Sequence, residues 1–309
     1  MDELRAACAA VAAVARQVRV QEAAIPAYAA ALAPPDVVRS AVAQQRPDDT
    51  PPPLDREGRA AFWLTLDAIN FGSGWFPTLR KRGGLSGYGT IAAAWGERFA
   101  AHGAWPAAAL AGIDARTLAS VLGQDPAHEL MALYAISLRD LGARVAAEHD
   151  GRFGSLAGSG GGSAVALARR LGEWPCFADV SRYGQRTVPF RKRAQIAAAD
   201  LARAGVSRFD DLGQLTMFAD NLVPHVLRLD GVLRFEPELV ARIDRETLLA
   251  HGSPEEVEIR ACAVHAVELI VAARGGDLTA AGVDELLWNR GQQPPYKASP
   301  RHRSRCTAY

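Results

Sequence analysis

An aspartate in an apolar stretch is the strongest candidate for chemistry in this sequence. In FADNLVPHVLR (218–228), Asp220 and Asn221 have apolar residues on both sides. A carboxylate among apolar side chains is unfavourable unless it is paired or hydrogen-bonded, and enzymes use such placement to hold charge beside a reacting centre. The alternative is that Asp220 caps the helix that Pro224 helps to start. Asp220 precedes Pro224 by four residues, which is early for a cap, so the spacing favours an extended lead-in that faces a pocket.

Two further stretches have features of ligand sites, but their residues favour structural roles. GSGGGSAVALARR (158–170) places glycines before a helix, as phosphate loops do, yet no strand precedes it and it lacks GK[ST]. We predict a flexible loop in which Ser163 caps the helix. In the amphipathic segment 188–205, Arg191, Lys192 and Arg193 stand at the helix start, where cations oppose the helix dipole. A solvated basic turn is the preferred interpretation from these residues alone.

The cysteines and histidines follow no known ligand spacing. No pair among the four cysteines has CxxC spacing, and the seven histidines show no HxxxH pair. We therefore predict no disulfide framework, no metal site and no cofactor, and a reducing, cytoplasmic setting.

The elements that must position these residues are predicted to be helices. Alanine, leucine and arginine dominate, and runs of β-branched and aromatic residues are scarce, so the fold class is all-α or mostly α. A small β-hairpin is predicted near 79–88, around Gly83 and Gly84. Helices are predicted at 2–33 (one or two), 36–43, 56–69, 90–102, 115–123, 127–149, from 163, and at 188–204, 224–230, 236–249, 254–274 and 280–290, with a proline-rich loop at 46–55.

Length and composition indicate a soluble globular protein. The chain has 309 residues, of which 49% are hydrophobic and 22% charged. We predict a single domain over 1–309, with the Ala-rich residues 1–45 packed on it as N-terminal helices. The formal net charge of +1 argues against a dedicated nucleic-acid coat. The sequence lacks a signal-peptide layout and an uncharged apolar stretch long enough to span a membrane, so no membrane partner is expected.

Six stretches, in order from about residue 55 to the C-terminus, resemble those of one protein family and are called here the matched stretches. They are LDAINFGSGWFP with SGY (66–77, 86–88), KRAQIAAAD (192–200), LTMFAD with PHVL (215–220, 224–227), EVEIRAC with VELI (256–262, 267–270), DELLW (284–288) and HRSRCTAY (302–309). In this order they resemble the queuosine salvage proteins, the queuosine 5′-phosphate N-glycosylase/hydrolases. The first 45 residues carry none of this resemblance.

The resemblance implies a compact helical fold similar to that of the helix-hairpin-helix DNA glycosylases. Asp220 followed by HVLR (225–228) is similar to the catalytic-aspartate segment of those enzymes. The Gly/Pro hairpin with which they hold DNA is not found before Asp220, so no stable nucleic-acid partner is expected. We expect a monomer, although the sequence says little about oligomeric state.

The activity implied by the resemblance is hydrolysis of queuosine 5′-monophosphate to queuine and ribose 5-phosphate. Cleaving the C1′–N bond gives the ribose oxocarbenium character, and a fixed carboxylate beside C1′ stabilises that charge. The carboxylate could also activate water or bond to C1′. Asp220 is expected to be this carboxylate, with Lys192 as the second catalytic residue.

The remaining site residues are implied by the same matched stretches. The base is expected to contact Phe71, Gly72, Ser73, Trp75, Asn221, Asp284 and Trp288. The 5′-phosphate is expected to contact His302, Arg303, Arg305 and Tyr309. Two rivals remain open: a DNA base glycosylase of the same fold, and a non-catalytic helical module that binds a nucleoside or tRNA.

Overall fold

Helices form most of the regular structure in the computed structural model, which describes residues 1–32 and 53–309. This confirms the mostly-α prediction. In chain order the helices are α1 (Asp2–Ala12), α2 (Ile25–Ala31), α3 (Arg56–Ala68), α4 (Gly87–His102), α5 (Ala107–Leu110), α6 (Ala115–Leu122), α7 (Glu129–Glu148), α8 (Phe153–Gly158), α9 (Ala164–Gly172), α10 (Lys192–Arg203), α11 (Leu222–Leu229), α12 (Pro237–Asp244), α13 (Pro254–Ala273), α14 (Ala280–Arg290) and α15 (Pro294–Lys297).

Side-chain caps fix where several of these helices begin. Asp55 accepts from the backbone N–H of Gly58 at 2.7 Å, and Asp114 accepts from that of Thr117 at 2.7 Å. Thr279 does the same at the start of α14, at 3.1 Å. Each cap satisfies an N–H group that has no partner inside its helix. The sequence placed each of these three helix starts within one residue of its observed position.

Two short strand pairs interrupt the helices. β1 (Val18–Val20) pairs antiparallel with β4 (Leu233–Phe235), and β2 (Ser181–Tyr183) pairs antiparallel with β3 (Arg186–Val188) through a turn at Gly184. The predicted hairpin near 79–88 is wrong, because that segment forms turns without strands. The reason is Ser86, whose hydroxyl accepts from the N–H of Gly89 at 2.9 Å and starts α4 before a second strand can form.

Two large hydrophobic clusters form the core of the described residues. The first joins α3, α4, α7, α9 and α10. It contains aromatic pairs such as Phe62 and Phe99, whose ring centroids lie 5.2 Å apart, edge to face. The second is built around α13, which packs against α1, α2, β1, α11 and α14. The N-terminal helices therefore pack on this second cluster; that residues 1–309 form one domain stays a prediction.

The buried carboxylate of Glu258, on α13, accepts four hydrogen bonds. Glu258, only 1% exposed, accepts from the backbone N–H groups of Arg16, Gln17 and Val18 at 3.0, 2.6 and 3.1 Å. It also accepts from the hydroxyl of Tyr183 at 2.6 Å. These bonds satisfy the carboxylate and attach the N-terminal segment to the central helix.

The basic start of α10 is not a solvated turn, so that interpretation is wrong. Lys192 and Arg193 are 6% and 0% exposed. Arg193 donates to the backbone carbonyls of Ala68, at 2.6 Å, and Cys176. These acceptors come from α3 and from the segment after α9, so burial of the cations depends on tertiary packing that local charge patterning does not encode.

The glycine-serine loop ends as predicted. The Ser163 hydroxyl accepts from the N–H of Ala166 at 3.0 Å and caps α9. The carboxylate of Asp211 accepts from the N–H of Ala164 at 2.6 Å and from the Ser163 hydroxyl at 2.5 Å. The anion at this helix start is therefore supplied by the chain itself, which argues against a phosphate loop.

Three other predictions concern the chain as a whole. The predicted helix at 36–43 and most of the loop at 46–55 lie outside the described residues. All four cysteines are buried free thiols, in agreement with the absence of a disulfide framework. Within residues 1–32 and 53–309, no helix combines the length and the apolar character that crossing a membrane requires.

Candidate active site

A cavity of about 990 Å³ is lined by segments from both hydrophobic clusters. This volume is in the range of pockets that hold small molecules. Most of the predicted site residues lie on its wall, although they are far apart in the chain. They are Phe71, Ser73, Lys192, Asp220, Asn221, Asp284, Trp288, Arg303 and Tyr309.

Asp220 both caps a helix and lies on the cavity wall, the two placements that the sequence left as alternatives. Its Oδ1 accepts from the backbone N–H groups of Leu222 at 2.9 Å and Val223 at 3.0 Å, the first two residues of α11. The helix begins two residues before Pro224, so Asp220 is close enough to hold its start. Among the described residues, no hydrogen bond reaches Oδ2, and the side chain lies on the cavity wall. Burial raises the pKa of Asp220, while Lys192 and the two backbone bonds oppose the shift.

Lys192 is the first residue of α10 and is almost fully buried at the cavity wall. Its Nζ donates to the backbone carbonyl of Asn70 at 3.0 Å and to Asn70 Oδ1 at 3.3 Å. Burial lowers the pKa of Lys192 to about 8, and Asp220 is the strongest influence in the opposite direction. The backbone N–H of Lys192 donates to Asp179 Oδ2 at 3.0 Å, so a carboxylate stands at a helix start that also carries cations.

A second, deeper acid lies beside Lys192. Asp67, on α3, is 0% exposed, and neither carboxylate oxygen makes a hydrogen bond of ordinary geometry in the described part of the chain. Its pKa is raised well above the usual range by burial and by Asp200, while Lys192 opposes the shift. Asp200 lies on the cavity wall and is 2.9 Å from Arg203. The cation of Lys192 is therefore close to acids on both its buried side and its cavity side.

The wall also carries polar groups suited to a base. Ser73 is 8% exposed, and its hydroxyl has no hydrogen-bond partner among the residues that the structure describes. Asp284 accepts from the backbone N–H of Phe218 at 3.0 Å, which fixes the carboxylate next to the Asp220 segment. Both residues line the cavity, and that a base contacts them stays a prediction.

The aromatic part of the wall differs from the expectation. Phe71 is 1% exposed, because its ring packs edge to face on Tyr134 with the centroids 5.0 Å apart. It borders the cavity but presents little ring surface to it. The aromatic side chains that line the cavity and keep partial exposure are Phe76, Tyr88, Phe218 and Trp288. Of these, only Trp288 was predicted, although Tyr88 and Phe218 belong to the matched stretches SGY and LTMFAD.

Two predicted residues of the 71–75 loop lie behind the wall. The indole N–H of Trp75 donates to Glu129 Oε2 at 2.7 Å, which holds the ring away from the cavity. The backbone N–H of Gly72 donates to the carbonyl of Tyr309 at 3.1 Å. Both residues support the loop from outside, and neither lines the cavity.

Two predicted phosphate ligands are also misplaced. His302 is 2% exposed and does not line the cavity, and burial lowers its pKa to about 3, so it is neutral at physiological pH. Arg305 is exposed and lies 3.6 Å from Glu129, outside the cavity. Of the tail residues, Arg301, Arg303 and Tyr309 line the cavity instead.

Arg301 is a wall residue that the sequence reasoning missed. Its charge interacts with the charges of Asp220 and Arg303, so it lies near both residues. Lys297, on α15, also lines the cavity. Arg301 stands one residue before the matched stretch HRSRCTAY, so only an extension of that stretch would have found it. Arg301 and Arg303, two residues apart in the chain, form a cationic part of the wall, which is called here the cationic end of the cavity.

The tail and the 71–75 loop lie in direct contact. A side chain at Gly74 would place its Cβ 2.5 Å from the backbone carbonyl oxygen of Ser304. Only glycine permits this approach. The hydroxyl of Ser304 in turn donates to the carbonyl of Leu249 at 2.8 Å, which holds the tail against the second hydrophobic cluster.

Comparisons with known proteins match the region that builds this cavity. The model of the family described as "Queuosine salvage protein" matches residues 51–309. A queuosine 5′-phosphate N-glycosylase/hydrolase of Sphaerobacter thermophilus is 39% identical over 267 residues, covering 82% of each chain. The protein of the same name from Dictyostelium discoideum is 41% identical over 135 residues, covering 41% of this chain and 42% of the relative. That from Bos taurus is 34% identical over 153 residues, covering 44% and 45%.

Proposed function

Because the chain belongs to the queuosine salvage protein family, we propose that it hydrolyses the N-glycosidic bond of queuosine 5′-monophosphate. The products are queuine and ribose 5-phosphate. One observation carries the proposal beyond family membership: Asp220 and Lys192, of opposite charge, lie on the wall of one cavity large enough for a nucleotide. Both belong to segments that the family match includes.

Asp220 acts on the sugar side of the bond. As the C1′–N bond breaks, its electron pair stays with the base nitrogen and C1′ becomes electron-poor. A carboxylate oxygen fixed beside C1′ stabilises this charge, and its effect is large where water is scarce. The Oδ1 atom is held by the start of α11, which leaves Oδ2 to face the sugar. A water oxygen then bonds to C1′, and the water gives up a proton as the base nitrogen gains one.

Lys192 keeps Asp220 ionised. Burial alone favours the protonated carboxyl, and Lys192 is the largest opposing influence on its pKa. The ammonium is held by Asn70 through the two hydrogen bonds of Lys192 Nζ. The Lys192 charge thus supports the negative form of Asp220, the form that stabilises the transition state.

The chemistry of the leaving group makes stabilisation of the positive charge on the sugar more important. The base is a 7-deazaguanine, which has carbon at the position where guanine has N7, so protonation at N7 cannot assist departure. Hydrogen bonds to the guanine-like face must stabilise the departing negative charge instead. Ser73 donates to this face, Asp284 accepts from the amino and imino N–H groups and orients the base, and Trp288 packs against the base. The family-derived expectation for Gly72 and Trp75 is replaced by a supporting role for the 71–75 loop.

The phosphate lies at the cationic end of the cavity. Arg301 and Arg303 are its ligands in this proposal, because guanidinium groups pair with phosphate oxygens through charge-assisted hydrogen bonds. Arg303 also lies 3.4 Å from Glu246, an ion pair whose partners are 19% and 61% exposed. A phosphate replaces that exposed partner at little cost, because surface ion pairs contribute little to stability.

One incubation separates this function from its two rivals. The purified protein is incubated with queuosine 5′-monophosphate, with queuosine and with duplex DNA that carries a damaged base, and released base is measured by chromatography and mass spectrometry. Release of free queuine from the monophosphate in preference to queuosine supports the proposal. Release from DNA alone would identify a DNA glycosylase. Binding of the monophosphate without any base release would identify a non-catalytic module.

A further inference from the structure

Arg260 is a fully buried arginine that reaches the backbone beside Asp220. It lies on α13 and is 0% exposed. Its Nε donates to the carbonyl of Ala219 at 2.9 Å, the residue directly before Asp220. Arg260 does not itself line the cavity. Arg260 therefore holds the backbone that leads into Asp220 without itself reaching the cavity.

The same guanidinium is connected to Lys192 through one carboxylate. Arg260 Nη2 donates to Asp179 Oδ2 at 2.7 Å, and the backbone N–H of Lys192 donates to that same oxygen at 3.0 Å. The carbonyl of Asp179 also accepts from the N–H of Arg191 at 3.1 Å. Asp179 is buried and stands off the cavity wall. A continuous chain of hydrogen bonds thus runs from the residue before Asp220 to the backbone of Lys192.

Two aromatic rings pack against the guanidinium. The ring of Phe190 lies 3.9 Å from the Arg260 guanidinium carbon, and the ring of Tyr309 lies 4.6 Å from it. Tyr309 lines the cavity. These contacts fix the orientation of the guanidinium plane. The contact with Tyr309 also connects the C-terminal tail to the residue that makes the two hydrogen bonds.

We propose that the Arg260–Asp179 pair is a positioning device that sets the spacing between Asp220 and Lys192. The inference rests on the proposed function, in which Asp220 acts on the sugar and Lys192 keeps Asp220 ionised. The planar guanidinium supplies hydrogen bonds in two fixed directions, one toward each candidate catalytic segment. Lysine at the same place carries the charge but cannot form both bonds with that geometry.

Stability alone does not explain this arrangement. Removing two charges from water is costly, and replacing a buried ion pair with apolar residues of similar volume is often neutral or stabilising. The contribution specific to this pair is that each of its hydrogen bonds ends next to a candidate catalytic residue. A misplacement of about 1 Å between reacting groups can lower a rate by about 100-fold.

The test is a double variant, Asp179→Leu with Arg260→Met, which removes both members of this pair. Glu256, whose Oε1 lies 3.5 Å from Arg260 Nη1, keeps His251 at 3.6 Å as its partner. Folding is checked by circular dichroism and urea unfolding, and kcat and KM are measured with queuosine 5′-monophosphate. A folded double variant is expected to lose about 100-fold in kcat, while KM changes far less. If the double variant does not fold, Arg260→Lys serves instead. It keeps the ion pair with Asp179 but not the bond to Ala219, and a fall in kcat without a matching rise in KM is expected.

Glu258→Gln is the matched control. It removes another buried charge of α13, one that faces the N-terminal segment and not the site. Its kcat is expected to equal that of the wild type. The inference is overturned if the folded double variant, or Arg260→Lys, keeps wild-type kcat, or if Glu258→Gln loses kcat to the same extent. A wild-type protein that releases no queuine would instead overturn the proposed function, and the inference with it.

Discussion

Asp220 and Lys192 face the same cavity without forming a direct ion pair, and each is a leading influence on the ionisation of the other. Asp220 uses one oxygen to hold the start of α11, and Lys192 is held by Asn70. Neither group is therefore neutralised by contact with its counterpart. This arrangement keeps an ionised carboxylate near the cavity, where a developing positive charge can reach it.

Replacing Asp220 with asparagine separates catalysis from capping. The amide oxygen of the new side chain can still accept from Leu222 and Val223, since asparagine caps about as well as aspartate. The free energy of unfolding should therefore change little. For Asp220→Asn we expect kcat for queuosine 5′-monophosphate to fall by at least ~100-fold, with KM nearly unchanged, because the lost interaction is strongest in the transition state. Steady-state release of queuine and urea unfolding measure the two effects.

The control for this substitution is Asp114→Asn. Asp114 caps α6 through the N–H of Thr117 and lies away from the cavity. Both stability and turnover should match the wild type. If Asp220→Asn also keeps wild-type turnover, Asp220 is a structural cap and the proposed mechanism is wrong.

The decrease of kcat/KM at alkaline pH, the alkaline limb of the pH profile, should follow the deprotonation of Lys192. Its pKa of about 8 lies below the ordinary 10.5, so kcat/KM should fall as pH rises through about 8 and the ammonium is lost. Between these two values the unfolded chain binds a proton that the folded protein has released. The contribution of Lys192 to stability therefore becomes more favourable as pH rises through that window.

Lys192→Arg tests this assignment. Arginine stays protonated throughout the accessible pH range, so the alkaline limb should move upward even if the maximal rate is lower. An unchanged limb near the same pH would assign it to another group. Rates are measured in buffers of constant ionic strength, because exposed charges are screened by salt.

Asp67 should make the protein less stable as pH rises. Its folded pKa is raised, so the folded protein holds this proton at a pH where the unfolded chain has lost it. The resulting stability is present below the unfolded pKa and is lost as pH rises through the folded pKa. Asp67→Asn removes this dependence, and its free energy of unfolding should exceed that of the wild type by about 1–3 kcal/mol at alkaline pH.

Urea unfolding at acidic, neutral and alkaline pH measures this difference. Asp125→Asn is the control, because Asp125 is more than half exposed and outside the cavity. Equal pH dependence in the wild type and the Asp67→Asn variant would contradict a buried acid with a raised pKa.

Arg301 should distinguish a nucleotide from a nucleoside. A charge-assisted hydrogen bond contributes about 1.5–3 kcal/mol, so Arg301→Gln should lower kcat/KM for queuosine 5′-monophosphate by about 10-fold or more. The loss for queuosine should be smaller, because the nucleoside has no phosphate and loses only the influence of Arg301 on the charge of Asp220. Arg305→Gln, at an arginine outside the cavity, should affect neither substrate. Equal losses on both substrates would place Arg301 near the sugar or base instead of the phosphate.

Local signals predicted most helices, because their causes are local. The caps at Asp55, Asp114 and Thr279 stand in the sequence directly before the helices that they start. The strands were missed because each has only three residues, as in Val18–Val20, which is too short for an alternating pattern to be recognised. The partners in one of the two pairs are also distant in the chain, since Val18 pairs with Phe235.

The matched stretches predicted a cavity residue correctly only where its side chain also faces the cavity. Asp220, Lys192 and Asp284 meet both conditions. The direction of a side chain in an irregular segment has no period, so His302 and Arg303 could not be separated by the sequence alone. Asp67 was missed for a related reason. Its unusual environment comes from Asp200 and Lys192 on another helix, and only tertiary packing brings them together.

The contact between the tail and the 71–75 loop also has a consequence for biosynthesis. Ser304 and Tyr309 lie against Gly74 and Gly72, but they are made more than two hundred residues later in the chain. A nascent chain emerges from the ribosome from its N-terminus onward, and its earlier parts can fold first. The first hydrophobic cluster can thus assemble while the tail is still inside the exit tunnel, but the cavity wall cannot be completed. The growing polypeptide therefore lacks a finished site until residues 304–309 have been translated and have left the exit tunnel.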